Sequence, residues 1–446
     1  MSQTNNQLLN LLGEQNRAAL RRMLDSMNVA DIAEELEALE TQDTIKVFRM
    51  LSKDKAADVF SYLEPDVQQS IVEAIADREI SGIIDELFLD DAVEFIEEMP
   101  AGVVKRVLAN VTPDRRESIN HILQYPEDSA GSIMAVECVD LKSDMTVADA
   151  FAYIRKNGAD KENIYTCYVT DHARKLIGMV SAKDLLLADQ GSTIGGIMET
   201  SIISAQTHDD KEEVMNNLRK YGFMSMPVVD SEERLVGFIT FDDAFTILEE
   251  EATEDFEKMA AMLPSEEPYL KTGILKLSKH RIPWLLLLMI FAAITGAIME
   301  RFENSLAVLP VLVAFIPMLM NTGGNAGTQS TTLIIRGMAL DEIKPADAVR
   351  VFGKETLVSL LCGVALCFTT FVSVLLFGEG AVMAMTVSLA MLATLVLSNI
   401  IGSLLTFGAK AVKMDPAVMA APLLTNIIDA AALVVYFSLA KVILHI

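Results

Sequence analysis

The sequence predicts a multidomain chain: an all-α superhelical N domain, an α/β tandem-repeat pair and an α-helical five-span transmembrane domain. Three observations predict it. Apolar residues recur at helical spacing among dense acidic residues up to about residue 130. A 59-residue offset superposes two β-rich stretches further on, and five apolar stretches follow residue 281. Charge divides the chain the same way. Residues 281–446 hold nine Lys/Arg and nine Asp/Glu, so the whole net charge of −26 falls on residues 1–280. So acidic a part would repel the phosphates of nucleic acid, which is excluded as a partner. It suits cations, or solubility alone.

In residues 1–130, DIAEELEAL and DAVEFIEEM carry the helical period. KAADVFSYLEP and DDAVEFIEEMP align at an offset of 35, pairing Ala57 with Ala92, Phe60 with Phe95 and Pro65 with Pro100. Stacked helix pairs explain such a repeat. Asp90, Asp91, Glu94 and other carboxylates line the acidic faces; each is solvated or part of a cation-binding surface. YPEDSAGSIM closes the domain as a linker. MSQTNNQLLNLLGEQ has no basic stretch before an apolar run, so no signal peptide is expected and this part is expected in the cytoplasm. Cys138, Cys167, Cys362 and Cys367 lack the spacing of a disulfide framework or zinc site.

YVTDHARKLIGMVSAKDLL (168–186) matches PVVDSEERLVGFITFDDAF (227–245). Asp171 pairs with Asp230, Gly178 with Gly237, Ser181 with Thr240 and Asp184 with Asp243. The pattern resembles two CBS domains, placed at 137–197 and 198–245. Ser181, Asp184, Thr240 and Asp243 at strand-to-helix turns suit a nucleotide's ribose or phosphate. They equally suit helix caps.

Residues 246–280 read as a linker helix and its exit. Glu250 and Glu254, and Glu251 and Asp255, are one turn apart and share faces. Like charges at that spacing destabilise a helix unless a divalent cation or basic surface bridges them. Lys271, Lys276, Lys279 and Arg281 then precede the first apolar run.

Five spans are read near 283–299, 307–338, 352–377, 382–408 and 417–444. With the N-terminus inside, the inner connections carry the Lys/Arg residues and the outer ones Arg301 alone, which leaves the C-terminus outside. The second span meets NTGGNAGTQS, where Gly323, Gly324 and Gly327 permit close approach or non-helical turns. A broken helix is expected there, lining a wet cavity with Asn321, Asn325, Thr328 and Gln329. Asp429 is the only acidic residue after Ala417. A charge at the bilayer centre costs at least about 2.5–3.5 kcal/mol, so it is expected to face a path or a bound cation.

PMLMNTGGNAGTQSTTLIIRG, DPAVMAAPLLTNIID, YPEDSAGSIM and EEEATED, in this domain order, resemble the MgtE family of magnesium channels and transporters. The resemblance covers essentially the whole chain. It implies a homodimer in the inner membrane of a bacterium, with a central pore for Mg2+ lined by the second and fifth spans. Asp429 would hold the hydrated ion. The linker helix would be a plug, closed by cytosolic Mg2+ bound among acidic residues, matching Asp243, Glu251, Glu254 and Asp255 here. ATP binds the CBS pair in some members.

Gly222 and Thr246 stand where acidic ligands are expected in the family. Ile428, Ala431 and Ala432 replace its Asn and Thr-Gly. A broader divalent-cation (Co2+) transporter, or a proton- or sodium-coupled carrier using Asp429, is the alternative. An enzyme is not expected: the membrane half has one histidine, His445, and no nucleophile–base set.

Overall fold

The computed structural model describes residues 3–13, 16–265, 269–270, 272–340, 342–419 and 421–445. Lys271, and Ala420 within DPAVMAAPLLTNIID, lie outside them. The chain divides into two compact units, Met1–Leu248 and Glu249–Ile446.

In the first unit, ten helices from Gln3–Gly13 to Pro113–Ile122 form the N domain. Their starts follow from side chains. Asn16, Asn28 and Thr112 accept the free N–H groups of the helices they cap, and Pro65 and Pro113 occupy first turns. Alternate helices stack: Val29–Glu37 on Lys53–Ser61, that on Asp77–Ile84, and that on Ala101–Asn110. The repeat has a direct packing consequence. Phe60 and Phe95, equivalent at the 35-residue offset, meet edge to face with centroids 5.1 Å apart.

Two three-stranded sheets follow. Cys138–Lys142 pairs in parallel with Asn163–Thr170, which pairs antiparallel with Leu176–Ser181. Ala205–Gln206, Ser225–Val229 and Leu235–Thr240 repeat the arrangement. The 59-residue offset reaches the hairpin turns. Arg174 and Glu233 both take left-handed backbone, at φ 65° and 64°. Asp171 Oδ1 accepts from the amides of Ala173 and Lys175 at 2.8 and 2.9 Å. Asp230 Oδ1 does the same for Glu232 and Arg234. The paired aspartates are therefore turn formers. The first repeat has its own core, including Val139, Val169 and Val180, whereas Met134, Val214 and Ile239 belong to the same buried cluster as the N domain. The second repeat is thus packed with the N domain as one body.

The second unit is helical. Ile274–Arg301, Pro345–Leu376, Ala381–Ala411 and Pro416–Leu444 are long and apolar enough to cross a membrane. The expected second span is the helix Leu312–Ala339, 28 residues long but polar in its middle, and it is not among those four. At 1.5 Å per residue it is about 42 Å long, enough to span. It packs against the fourth and fifth helices. The break expected at NTGGNAGTQS does not occur; the helix runs through it. The non-helical residues are 309–311, around Pro310, which has no N–H to give a helix. The glycines serve close packing instead. A Cβ at Gly323 would stand 2.6 Å from Thr394 Cγ2, and one at Gly324 2.9 Å from Thr425 Cγ2. Ser398 and Ser403, buried in the fourth helix, return their hydroxyls to their own backbone, to Thr394 O and Asn399 O at 2.7 and 2.8 Å.

Candidate functional site: two carboxylate centres

The first centre lies in the first unit. Asp90, at the start of the helix Leu89–Glu98, meets Glu162 and Asp243, with one oxygen of each within 4.8 Å of the others. Glu162 precedes the strand Asn163–Thr170, and Asp243 lies in the first turn of the helix Phe241–Met259. Asp90 Oδ1 and Glu162 Oε2 are enclosed with no hydrogen-bond partner among the described residues. Burial, then the charges of Glu162, Asp91 and Asp243, pushes the Asp90 carboxyl well above its ordinary range. Burial and Asp243 push Glu162 up. Asp91 is raised to about 7 by burial, then by Glu94, Asp243 and Glu137, while Arg115 pulls it down. Asp243 is raised by burial, against the hydrogen bond from Thr240 Oγ1 that orients it.

Three half-buried carboxylates that repel each other are stabilised by protons or by a cation. Mg2+ binds oxygens at about 2.0–2.1 Å, so opposite ligands stand about 4.2 Å apart. Oxygens within 4.8 Å fit a partly hydrated ion or one that draws them slightly inward.

Of the residues read from sequence, Asp90, Asp91 and Asp243 come together here, with Glu94 a turn beyond Asp90. Glu162 was not legible. Its equivalent in the second repeat is Tyr221, so the repeat gives no acidic pattern, and its place beside Asp90 exists only in the folded unit. Ser181 and Asp184 form a reciprocal capping box, and Asp243 N donates to Thr240 Oγ1 at 3.3 Å. All four residues thus take part in helix caps. Gly222 ends the helix Lys211–Tyr221 in left-handed backbone, φ 67°, where a side chain is strained. Its glycine therefore has a local backbone cause.

Glu251, Glu254 and Asp255 lie further along Phe241–Met259, in the second unit. There Lys258 Nζ bridges Glu254 Oε1 and Asp415 Oδ2, each at 2.8 Å. Asp255 is raised to about 6 by burial and then by Asp415, against Lys258. Burial lowers Lys258, but its hydrogen bonds to Asp415 and Glu254 outweigh that and raise it. Thr246 Oγ1 donates to Asp242 O at 3.4 Å.

The second centre is Asp429, half-buried in the helix Ala421–Leu444, with Oδ1 enclosed and unpartnered among the described residues. Its neighbour Ile428 is 1 % exposed and fills the glycine groove; a Cβ at Gly327 would stand 2.3 Å from Ile428 Cδ1. Ile428 and the buried Ala432 are therefore packing positions rather than ion ligands. Gly323, Gly324 and Gly327 face inward, while Asn321, Asn325 and Gln329, four apart, form an exposed stripe. Asn325 Nδ2 donates to Asn321 Oδ1 at 3.2 Å, and Thr328 is half-buried.

Comparisons with known proteins agree with the domain order. Residues 27–128 match the MgtE intracellular N domain, 130–191 and 194–250 match CBS domains, and 316–439 match a family described as divalent cation transporter. The chain is 33 % identical over 437 residues, 97 % of each chain, to the magnesium transporter MgtE of Thermus thermophilus. It is 28 % identical over 426 residues, 95 % of this chain and 94 % of the other, to that of Bacillus subtilis. The solved cytosolic domain of the Mg2+ channel MgtE in complex with ATP is similar at 32 % identity and a TM-score of 0.52, covering 55 % of this chain and 99 % of that one. The family match and the apolar helices together define a membrane transporter of divalent cations. The chain belongs to the MgtE family.

Proposed function

We propose that this protein carries Mg2+ into the cell through a pore at Asp429 and is closed by Mg2+ on its cytosolic side. The observation that carries the reading is the half-buried Asp429, its Oδ1 enclosed and without a partner among the described residues, in a helix packed against an amide-bearing one. Mg2+ keeps several waters and takes one or two carboxylates, so a mostly hydrated ion suits Asp429. Amides facing hydrocarbon cost free energy, so the Asn321–Asn325–Gln329 stripe faces a water-filled path. A second copy supplies the other wall, making a homodimer. The CBS pair supports the same symmetry: Tyr165 and Met224, and Leu186 and Phe245, are equivalent across the repeat and all exposed. Such apolar positions mark an interaction face.

Closure follows from linkage, since an ion that binds the closed arrangement more tightly populates it. Cytosolic Mg2+ at Asp90, Glu162 and Asp243 neutralises the cluster and holds the N domain on the CBS pair. Glu251, Glu254 and Asp255 extend the sensing to the helix Phe241–Met259, which acts as the plug. The N-terminal domains are cytoplasmic, the C-terminus is outside, and the membrane is the bacterial inner membrane, as the charge bias of the connections supports. ATP is proposed to bind the CBS pair by likeness to the relative solved with it; calorimetric titration that detects no ATP heat would remove it. A broader divalent selectivity is separated by competing Co2+ and Mn2+ against Mg2+ flux. The main reading is tested by uptake in cells expressing wild type or Asp429→Ala at equal levels. Loss of Mg2+ uptake is expected, and unchanged uptake would sink the pore assignment.

A further inference from the structure

We propose that Arg115 is a positioning residue that sets the spacing of Asp90 and Glu162, so that the cation cluster is formed before the ion arrives. This deepens, and rests on, the reading of that cluster as a cation site. Arg115 lies in the helix Pro113–Ile122, and its side chain is 15 % exposed. Its Nη2 donates to Leu87 O at 2.5 Å and Phe88 O at 2.9 Å. Phe88 is the N-cap of the helix that carries Asp90 and Asp91. Its Nη1 reaches Glu137 Oε1 at 3.5 Å. Glu137 Oε2 accepts from Val136 N at 3.2 Å, and the Glu137 carbonyl accepts from the amide of Glu162, also at 3.2 Å. One guanidinium therefore ties the backbone before Asp90 to the backbone that holds Glu162.

The tie has a physical task. Without an ion the cluster's like charges push the N domain and the CBS pair apart. A planar fork with several fixed donors holds two carbonyls and a carboxylate at once, which an ammonium does not. Groups that orient metal ligands are worth about 10–100-fold in metal affinity. The charge of Arg115 works the other way, because a cation beside the site repels Mg2+. Position and charge thus predict opposite signs.

The test is a Mg2+ titration of the full-length protein in nanodiscs, reading the rise in thermal midpoint and the protection of 246–280 from protease. Wild type, Asp90→Asn, Arg115→Lys, Arg115→Met and Glu137→Gln are compared, with circular dichroism reporting the metal-free fold. Both Arg115 variants are expected to need about tenfold more Mg2+. Arg115→Met with Glu137→Gln is expected to be no worse than Arg115→Met alone. A half-point that is unchanged or lower in folded Arg115→Met overturns the proposal. If Arg115→Met does not fold, unchanged half-points in Arg115→Lys and Glu137→Gln overturn it. If wild type shows no Mg2+ response, or Asp90→Asn leaves it unchanged, the cluster reading itself fails and the proposal with it. A normal Asp90→Asn effect with silent Arg115 variants removes the proposal alone.

Discussion

In the soluble domains three carboxylates meet within 4.8 Å, drawn from three separated stretches of chain. In the last membrane helix a lone carboxylate, Asp429, stands next to Ile428, which fills a groove of glycines. The difference lies in what each environment permits. Near water, a concentrated charge can be lost and regained, so the cluster can respond to ion concentration. Among apolar helices a second or third charge beside it would be costly, and the groups near Asp429 that can serve an ion are neutral amides. The first arrangement suits a sensor that binds and holds, the second a path that binds and releases.

The comparison breaks most readily at Asp429. Asp429→Ala is expected to lower Mg2+ uptake to that of cells without the protein, measured with intracellular magnesium dyes, while leaving Mg2+-induced protection of 246–280 intact. Next, Asp90→Asn or Asp243→Asn should raise the Mg2+ half-point for that protection about tenfold, because affinity follows ligand charge, and leave the open-state flux unchanged. A third test is pH. Asp91 is raised to about 7, so between the ordinary carboxylate range and about 7 the folded chain holds a proton that the unfolded chain has lost. That stability is present at low pH and is lost as pH rises through about 7. The metal-free thermal midpoint should therefore fall between about pH 5 and pH 7 and level off above that, saturating Mg2+ should cancel the fall, and the Mg2+ half-point should be lower at the higher pH. A packing test follows. A Cβ at Gly402 would stand 2.6 Å from Thr331 Oγ1 and 3.2 Å from Gly327 O, so Gly402→Ala should destabilise the membrane unit by about 1–3 kcal/mol in detergent denaturation. The smallest effect is at Lys258. Lys258→Met removes the bridge from Glu254 to Asp415, and should cost about 1 kcal/mol or less, read as faster metal-free cleavage near 260.

Much of this was legible in the sequence. The 35- and 59-residue offsets carried the N-domain stacking and the two CBS sheets, because equivalent side chains do equivalent jobs there: Phe60 against Phe95, Asp171 and Asp230 in matching turns. Asp429 was legible from cost alone. The unbroken second membrane helix is not legible in the sequence because glycine has two uses. NTGGNAGTQS reads equally as a break or as a smooth face for a neighbouring helix, and only the packing of Thr394, Thr425 and Ile428 decides between them. Glu162, Glu137 and Arg115 were illegible for another reason. They lie on separate segments with no shared period, Arg115 in the N domain and Glu137 and Glu162 in the first CBS repeat, and become a site only where those segments meet in the fold.

In the function proposed above, one ion is both cargo and brake. Mg2+ flux into proteoliposomes, followed while Mg2+ on the side of the soluble domains is raised, tests it most directly, with the variants Asp90→Asn/Glu162→Gln/Asp243→Asn and Asp429→Ala alongside wild type. The expected result is that wild-type flux falls as that Mg2+ rises, the triple variant keeps conducting, and Asp429→Ala conducts at no concentration. Wild type and the triple variant shutting at the same Mg2+ concentration would contradict it.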